Sequence, residues 1–403
     1  MAVSDAALTY FLQAEKAIEK GDLATAKEKI TAGLALEPDH ANAMTNMGNI
    51  AMLENDFKSA ASWFDKSLKI DPKNAVAYNG RAVCFMKAGD VPKAVENWLK
   101  AAEIDPKNPT PIVNLGDAAK LLGDFKSAKA YYQTALEVDR ELDRATIGLA
   151  EIAAEEGDGD KAIAYASTVV KKSPSNPAAR AALGKGYAAK KDWYKAIDSL
   201  YPASKAMPRN VAVLYALGVS LMNTRQFGPA IETFLTALEI EEGVGDPKLH
   251  LQLGVCYYMV GRPDTFELAR TEFQHTLERN PAPADKATAL YHLALILDDA
   301  GVADAAIAGY RKVLAVDPNH VAANNNLGLL AMKREKFAEA IPFFQRALTA
   351  QPDFAASQLN VGYCLLRIGK KAEGEAQLQK LVTRLPEGDP LREEAKAVLA
   401  GKR

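Results

Sequence analysis

The chain has 403 residues, 48% of them apolar but only 7% aromatic, and 25% charged with a net charge of −2. A charge so near neutral leaves no dominant basic face, so the positive field that drives nucleic-acid binding is missing. Apolar residues that are mostly Ala, Leu and Val suit close helix packing, and 403 residues would ordinarily mean two or three globular domains.

The N-terminal segment Met1–Gly21 carries Asp5, Glu15, Lys16 and Glu19 and has no apolar run of signal-peptide length. No later window approaches the roughly 18 uninterrupted apolar residues of a membrane span. These features predict a soluble cytoplasmic chain without membrane insertion; a periplasmic origin stays open if a leader has been trimmed. Cys84, Cys256 and Cys364 lie far apart with no C-x-x-C, and their odd number argues against a disulfide framework.

Along the chain, Pro38, Pro72 and Pro106 stand 34 residues apart, as do Pro174 and Pro208, and then Pro318, Pro352 and Pro386. A fixed period of this size marks a stacked-repeat protein, which grows by addition of units and not by enlarging one core. With each proline at position 32 of the frame, repeats open at Ala7, Ala41, Ala75, Pro109, Asp143, Pro177, Val211, Pro247, Ala287, Val321 and Ala355, eleven in all. A small residue recurs at position 8 (Ala14, Gly48, Ala82 and so on to Gly362) and another at position 20 (Ala26, Ala60, Ala94 and so on to Gly374). Small residues spaced in this way let two antiparallel helices approach closely. Glycines such as Gly21, Gly89 and Gly123 lie between them, where a tight turn needs a stop. The prolines end the second helix, and Asn74, Asn108, Asn176 and Asn210 are placed to cap the next one.

The frame has irregularities. Arg140 and Glu242 replace the proline, and Gly374 replaces the second alanine. Pro202 falls inside a predicted helix, where it removes a hydrogen bond and predicts a bend near Ser199–Pro202. Glu242–Lys248 and Pro281–Lys286 are expected to lengthen inter-repeat loops, and Arg262–Glu267 an intra-repeat turn. Asp389–Ala400 reads as a final capping helix with Leu391, Ala395, Val398 and Leu399 on its apolar side. The expected organisation is a solenoid over 7–388, irregular near 242–286, with the cap in 389–403.

This pattern resembles the tetratricopeptide (TPR) repeat. The tenth repeat carries the likeness best, from Leu327-Gly328 through Phe337, Ala340, Phe344 and Ala347 to Pro352. The resemblance implies an all-α, right-handed superhelical solenoid of helix–turn–helix units that acts mainly as a protein-binding scaffold.

Signals of chemistry are sparse. His40 and His320 share a capping position, while His250, His275 and His292 fall at three different places in the frame, so no metal site is expected. The cysteines all take position 10, where other repeats hold apolar residues, and read as packing residues. There is no phosphate loop. Adjacent acids such as Glu155-Glu156 and Asp298-Asp299 do not face one another on a helix and read as solvated. No catalytic residue or cofactor is expected.

What remains is the groove that, by the TPR resemblance, the first helices line with positions 2, 5, 6, 9, 12 and 13. Asn46, Asn114, Asn326 and Asn360 share position 6, where a carboxamide could pair with a peptide unit in either sense. Repeats one to five offer acids there, including Glu15, Asp117 and Glu151. Repeats seven to eleven offer Tyr215, Leu251, Tyr258, Tyr291 and Tyr363, an apolar set suited to an interface. A basic carboxylate clamp is not matched, since only Arg144 and Lys248 fit its pattern. The reading is a non-catalytic scaffold that binds an extended or helical segment of a protein or peptide partner. A substrate-recruiting subunit of an enzyme complex and a self-assembling scaffold are the alternatives, and oligomerisation is left open.

Overall fold

The computed structural model describes residues 4–240 and 245–402, and among these there are twenty-three α-helices and no strand. The helices form eleven antiparallel pairs followed by the single helix Pro390–Leu399. The pairs match the eleven frames, from Asp5–Glu19 with Leu23–Leu36 to Ala355–Arg367 with Lys371–Arg384. The chain divides into two compact units, Met1–Ala203 and Ser204–Arg403. In each, the core is a string of local clusters. One joins Tyr132 to Ile112, Leu149 and Ile152 in the first unit, and another joins Tyr310 to Ala294, Leu327 and Leu330 in the second.

Local signals account for the helix boundaries. The side chains of Asn74, Asn108, Asn176 and Asn210 accept from backbone N–H groups of the helices they precede, as their positions predict. His40 and His320 do the same through Nδ1, toward Ala43 and Ala323. The second helices have their own cap, which the spacing argument overlooks: Asp22, Asp56, Asp90, Asp124 and Asp158 each accept from the N–H three residues on. Side-chain hydrogen bonds from the same residues (Thr25, Ser59, Lys93, Ser127 and Lys161), then these backbone bonds, favour the ionised carboxyl and hold it below its ordinary range.

The turn between paired helices places position 15 in the left-handed region in all eleven repeats. Seven use glycine, from Gly21 (φ 73°) to Gly369 (φ 83°), and the others use Asn55, Lys191, Arg225 and Glu335 at φ 57° to 61°. Asn tolerates this conformation, whereas a long side chain there bears the Cβ penalty.

The small residues meet as the spacing requires. Every alanine at position 20, from Ala26 to Ala340, is completely buried. Gly374 is glycine for a reason: a Cβ there would lie 2.9 Å from the Gly362 carbonyl oxygen. Against position 8 lies the bulky side chain at position 24, the place that Phe344 takes in the tenth repeat. A Cβ on Gly48 would fall 2.6 Å from the Phe64 ring, and one on Gly80 in the next repeat 2.3 Å from the same ring. Tyr132 is seated likewise between Gly116 and Gly148.

Two expectations are corrected. The helix Pro263–Glu278 begins directly after Arg262, so the Arg262–Glu267 insertion lengthens a helix and not a turn. The helix Pro283–Asp299 has 17 residues where most first helices have 13, and it takes up most of Pro281–Lys286. Glu242 and the start of the Glu242–Lys248 segment lie outside the described residues. The helix Trp193–Ala206 runs through Pro202 without interruption, and the boundary between the compact units follows at Ala203. Among the described residues no helix is long and apolar enough to cross a membrane.

Overpacking the helix contact by Ala94→Leu or Ala340→Leu is expected to cost about 1–3 kcal/mol, measured by thermal or urea unfolding; no loss in either would contradict this packing. Conversely, Glu335→Gly is expected to stabilise the chain by about 1 kcal/mol through relief of the left-handed penalty, partly offset by the greater freedom of the unfolded glycine. A fall in unfolding midpoint would show that Glu335 makes a compensating interaction.

Candidate interaction face

In the first unit the face built by the first helices is polar and internally neutralised. Asn114 is buried and donates through Nδ2 to Asn79 Oδ1 at 3.1 Å. Asp117 accepts from both the Tyr132 hydroxyl and Arg144. Burial opposes ionisation of Glu151, but Lys185 and Lys120 outweigh it and hold the carboxyl below its ordinary range. Thus Asp117 and Glu151 are paired, and the expected acidic groove is narrowed to exposed residues such as Glu15 and Glu155. Asn46 is half-buried, and its carboxamide has no hydrogen-bond partner among the described residues.

The second unit brings several sequence-predicted residues together. Tyr258 and Tyr291 are half-buried and converge on His292, with ring centroids 5.2 and 5.7 Å from the imidazole. The imidazole stacks on Phe273 at 5.1 Å with an interplanar angle of 9°. Tyr291 continues the cluster to Tyr310 and His320, at 5.9 and 5.0 Å. The Tyr258 hydroxyl donates to Asp299 at 2.8 Å, and that of Tyr310 donates to Asp298 at 3.2 Å. Asn326 donates to the Tyr310 hydroxyl at 3.0 Å and reaches Tyr291 at 3.5 Å. Burial, then the nearby carboxylates, raises both the Tyr258 and Tyr310 pKa values, so these phenols stay protonated. The adjacent acids Asp298 and Asp299 are therefore not simply solvated. They do not face each other, but each faces a different tyrosine.

Other candidates lie apart from this cluster. Tyr215 is half-buried with its ring 6.3 Å from Phe234. Tyr363 accepts from Arg367 at 2.7 Å and meets Phe337 edge-on at 6.0 Å. Asn360 is half-buried, and its carboxamide has no partner among the described residues. Leu251 is a correction: it is 2% exposed and packs with Ala269, Phe273 and Ala289 in the core. Position 5 therefore holds a core leucine at 251 and half-buried tyrosines at 215 and 291.

The thiols behave as packing groups. All three are buried, and burial pushes Cys84 and Cys364 up to about 11 and Cys256 to about 12. His250 and His275, expected to be separate, instead meet across Glu272, with the rings 5.2 Å apart.

A Tetratricopeptide repeat profile matches residues 11–75, 297–353 and 325–390, and a second of the same description matches 119–186. Together they span more than half of the chain. The chain belongs to the tetratricopeptide repeat family. Two solved structures show the fold of this TPR protein over nearly its whole length. The APC/C hetero-tetramer Cut9-Hcn1 is 13% identical, covers 98% of this chain and 97% of its own, and superposes with a TM-score of 0.51. The human IFIT1 dimer with m7Gppp-AAAA is 16% identical, covers 95% and 91%, and also gives 0.51. No curated protein matches the sequence.

His292 provides a pH test of the TPR cluster. Burial, reinforced by His320, pushes its pKa down to about 4. The unfolded imidazole protonates near 6.5, so between these values acid feeds protons mainly to the unfolded chain. Stability from this group is flat above about pH 6.5 and falls by up to about 3 kcal/mol toward pH 4. Thermal melts of the wild type and His292→Gln over that range are expected to show the wild type losing midpoint faster as pH falls; parallel curves would contradict a buried neutral imidazole.

Proposed function

We propose that this TPR protein is a non-catalytic scaffold that holds an extended or helical segment of a protein partner on the first-helix face of its second unit. The observation carrying the proposal is the cluster of half-buried rings Tyr258, His292 and Tyr291, backed by the fully buried Tyr310 and positioned by Asp298, Asp299 and Asn326. Rings whose hydroxyls are already held lose little freedom on being covered, and aromatic anchors contribute disproportionately to interfaces. Tyr215 and Tyr363 would extend the contact, and Asn360 would offer its uncommitted carboxamide to a passing backbone. Asn46 offers the same group in the first unit, whereas Asn114 and Asn326 serve mainly to position their neighbours.

The fold alone does not choose the ligand: one solved neighbour is a hetero-tetramer of proteins and the other carries m7Gppp-AAAA. Face chemistry favours the protein reading. The cluster sets carboxylates beside its tyrosines, and phosphates would be repelled where a peptide N–H or a basic side chain would be accepted. No chemistry is assigned to the chain itself, in keeping with thiols pushed far above neutral pH.

Tyr258→Ala combined with Tyr291→Ala is expected to weaken a partner captured by the intact chain by about a hundredfold or more (~3 kcal/mol), with helicity unchanged by circular dichroism. Calorimetry showing unaltered affinity in the double variant, or a loss confined to Glu15→Ala, would move the site to the first unit.

A further inference from the structure

The eighth repeat contains a side-chain cluster that the aromatic face does not use. His250 lies on the helix Pro247–Val260, and Glu272 and His275 lie one turn apart on its partner, Pro263–Glu278. One ligand-capable atom from each falls within 4.8 Å of the others. His250 Nδ1 is 2.6 Å from Glu272 Oε2, and His275 Nδ1 is 3.8 Å from the same oxygen.

Three physical features distinguish this cluster from an ordinary surface ion pair. The Glu272 side chain is only 16% exposed, yet among the described residues no lysine or arginine lies within 4 Å of its carboxylate. A carboxylate removed from water needs a compensating charge. His275 Nδ1, the nitrogen that faces Glu272, is also buried with no hydrogen-bond partner, and buried polar atoms are ordinarily satisfied. Finally, 3.8 Å is too long for a hydrogen bond but close to the roughly 3.3 Å between two ligands of one tetrahedral zinc with bonds of about 2.0–2.1 Å.

We propose that His250, Glu272 and His275 form a divalent metal site of the zinc class. Two imidazoles and one carboxylate are a known zinc donor set that leaves a fourth position for water. A glutamate and a histidine three residues apart on one helix, faced by a ligand from another, is a geometry that helix pairs readily provide. The ion would supply the positive charge that Glu272 lacks. It would displace the proton between His250 and Glu272, which need part by only a small side-chain rotation. Because His275 is 39% exposed, the site opens to solvent on that side and the ion has a path in. Bound there, it would pin together the helices of the repeat whose second helix carries the insertion.

The test uses the full chain without a histidine tag, stripped by chelator and titrated with Zn2+ by calorimetry, and separately with Co2+ by visible absorption. One saturable equivalent is expected, with a tetrahedral Co2+ spectrum lacking a thiolate charge-transfer band and a Zn2+-dependent rise in melting temperature. Glu272→Gln and His275→Ala are expected to weaken binding by more than about tenfold. His275→Ala removes a half-exposed ring and so tests the site even if changes at buried His250 impair folding. Affinity should fall as pH falls, because metal and protons compete for the same atoms. No saturable binding, binding unchanged in both variants, or a thiolate band from the cysteines would each overturn the assignment.

Discussion

The structure depends on the seating of one side chain, usually a large one, in each repeat. In repeats two and four the ring at position 24 fits against the glycine at position 8 of its own first helix and reaches position 6 of the next repeat. A single residue thus closes the helix pair and joins it to its neighbour. Burying such a side chain is worth roughly 1.5–3 kcal/mol, and the bare backbone of the glycine lets the ring approach. Where the ring is absent, as with Ala166 in repeat five and Leu200 in repeat six, smaller side chains occupy the seat and are themselves fully buried.

That seat explains what position 6 does. Gly80 and Gly148 stand there because a Cβ would strike Phe64 or Tyr132. Asn326 stands there because Tyr310 ends in a hydroxyl that needs a partner, and His292 stands there with its ring flat against Phe273. The residues on the first-helix face are therefore partly chosen by the core behind them. Surface chemistry in the second unit is an extension of core chemistry, with tyrosines and imidazoles reaching outward from a packed base and ending in Asp298 and Asp299.

Nearly all of the fold is legible in the spacing of prolines and small residues, because one steric requirement repeats eleven times and leaves the same mark each time. The candidate site is legible only in part. Tyr258, Tyr291 and Asn326 could be placed on one face from their frame positions, but the bonds that join them could not. Leu251 shares a frame position with Tyr291, yet it is buried against Ala269, Phe273 and Ala289. His250 and His275 appear unrelated in the frame, since the insertion before Ala269 obscures the register that sets them opposite each other. The charge pairs Lys120–Glu151 and Arg144–Asp117 join separate repeats, and a pattern built from single repeats has no means of showing them.

The insertions in repeats eight and nine have a further consequence. The first helix of repeat nine has 17 residues where most of its counterparts have 13, about one helical turn and some 6 Å more. An addition of one turn at the start of a helix leaves every later side chain pointing where it did before. Ala287, Tyr291 and Ala294 therefore keep their frame positions, while the added turn before them is mostly exposed. A loop of the same length would have added a strap without fixed direction, whereas a helical turn keeps its backbone hydrogen-bonded. In an array of this kind, length can vary by whole turns without disturbing register, so the outline of one edge can diversify while the packed interior stays the same.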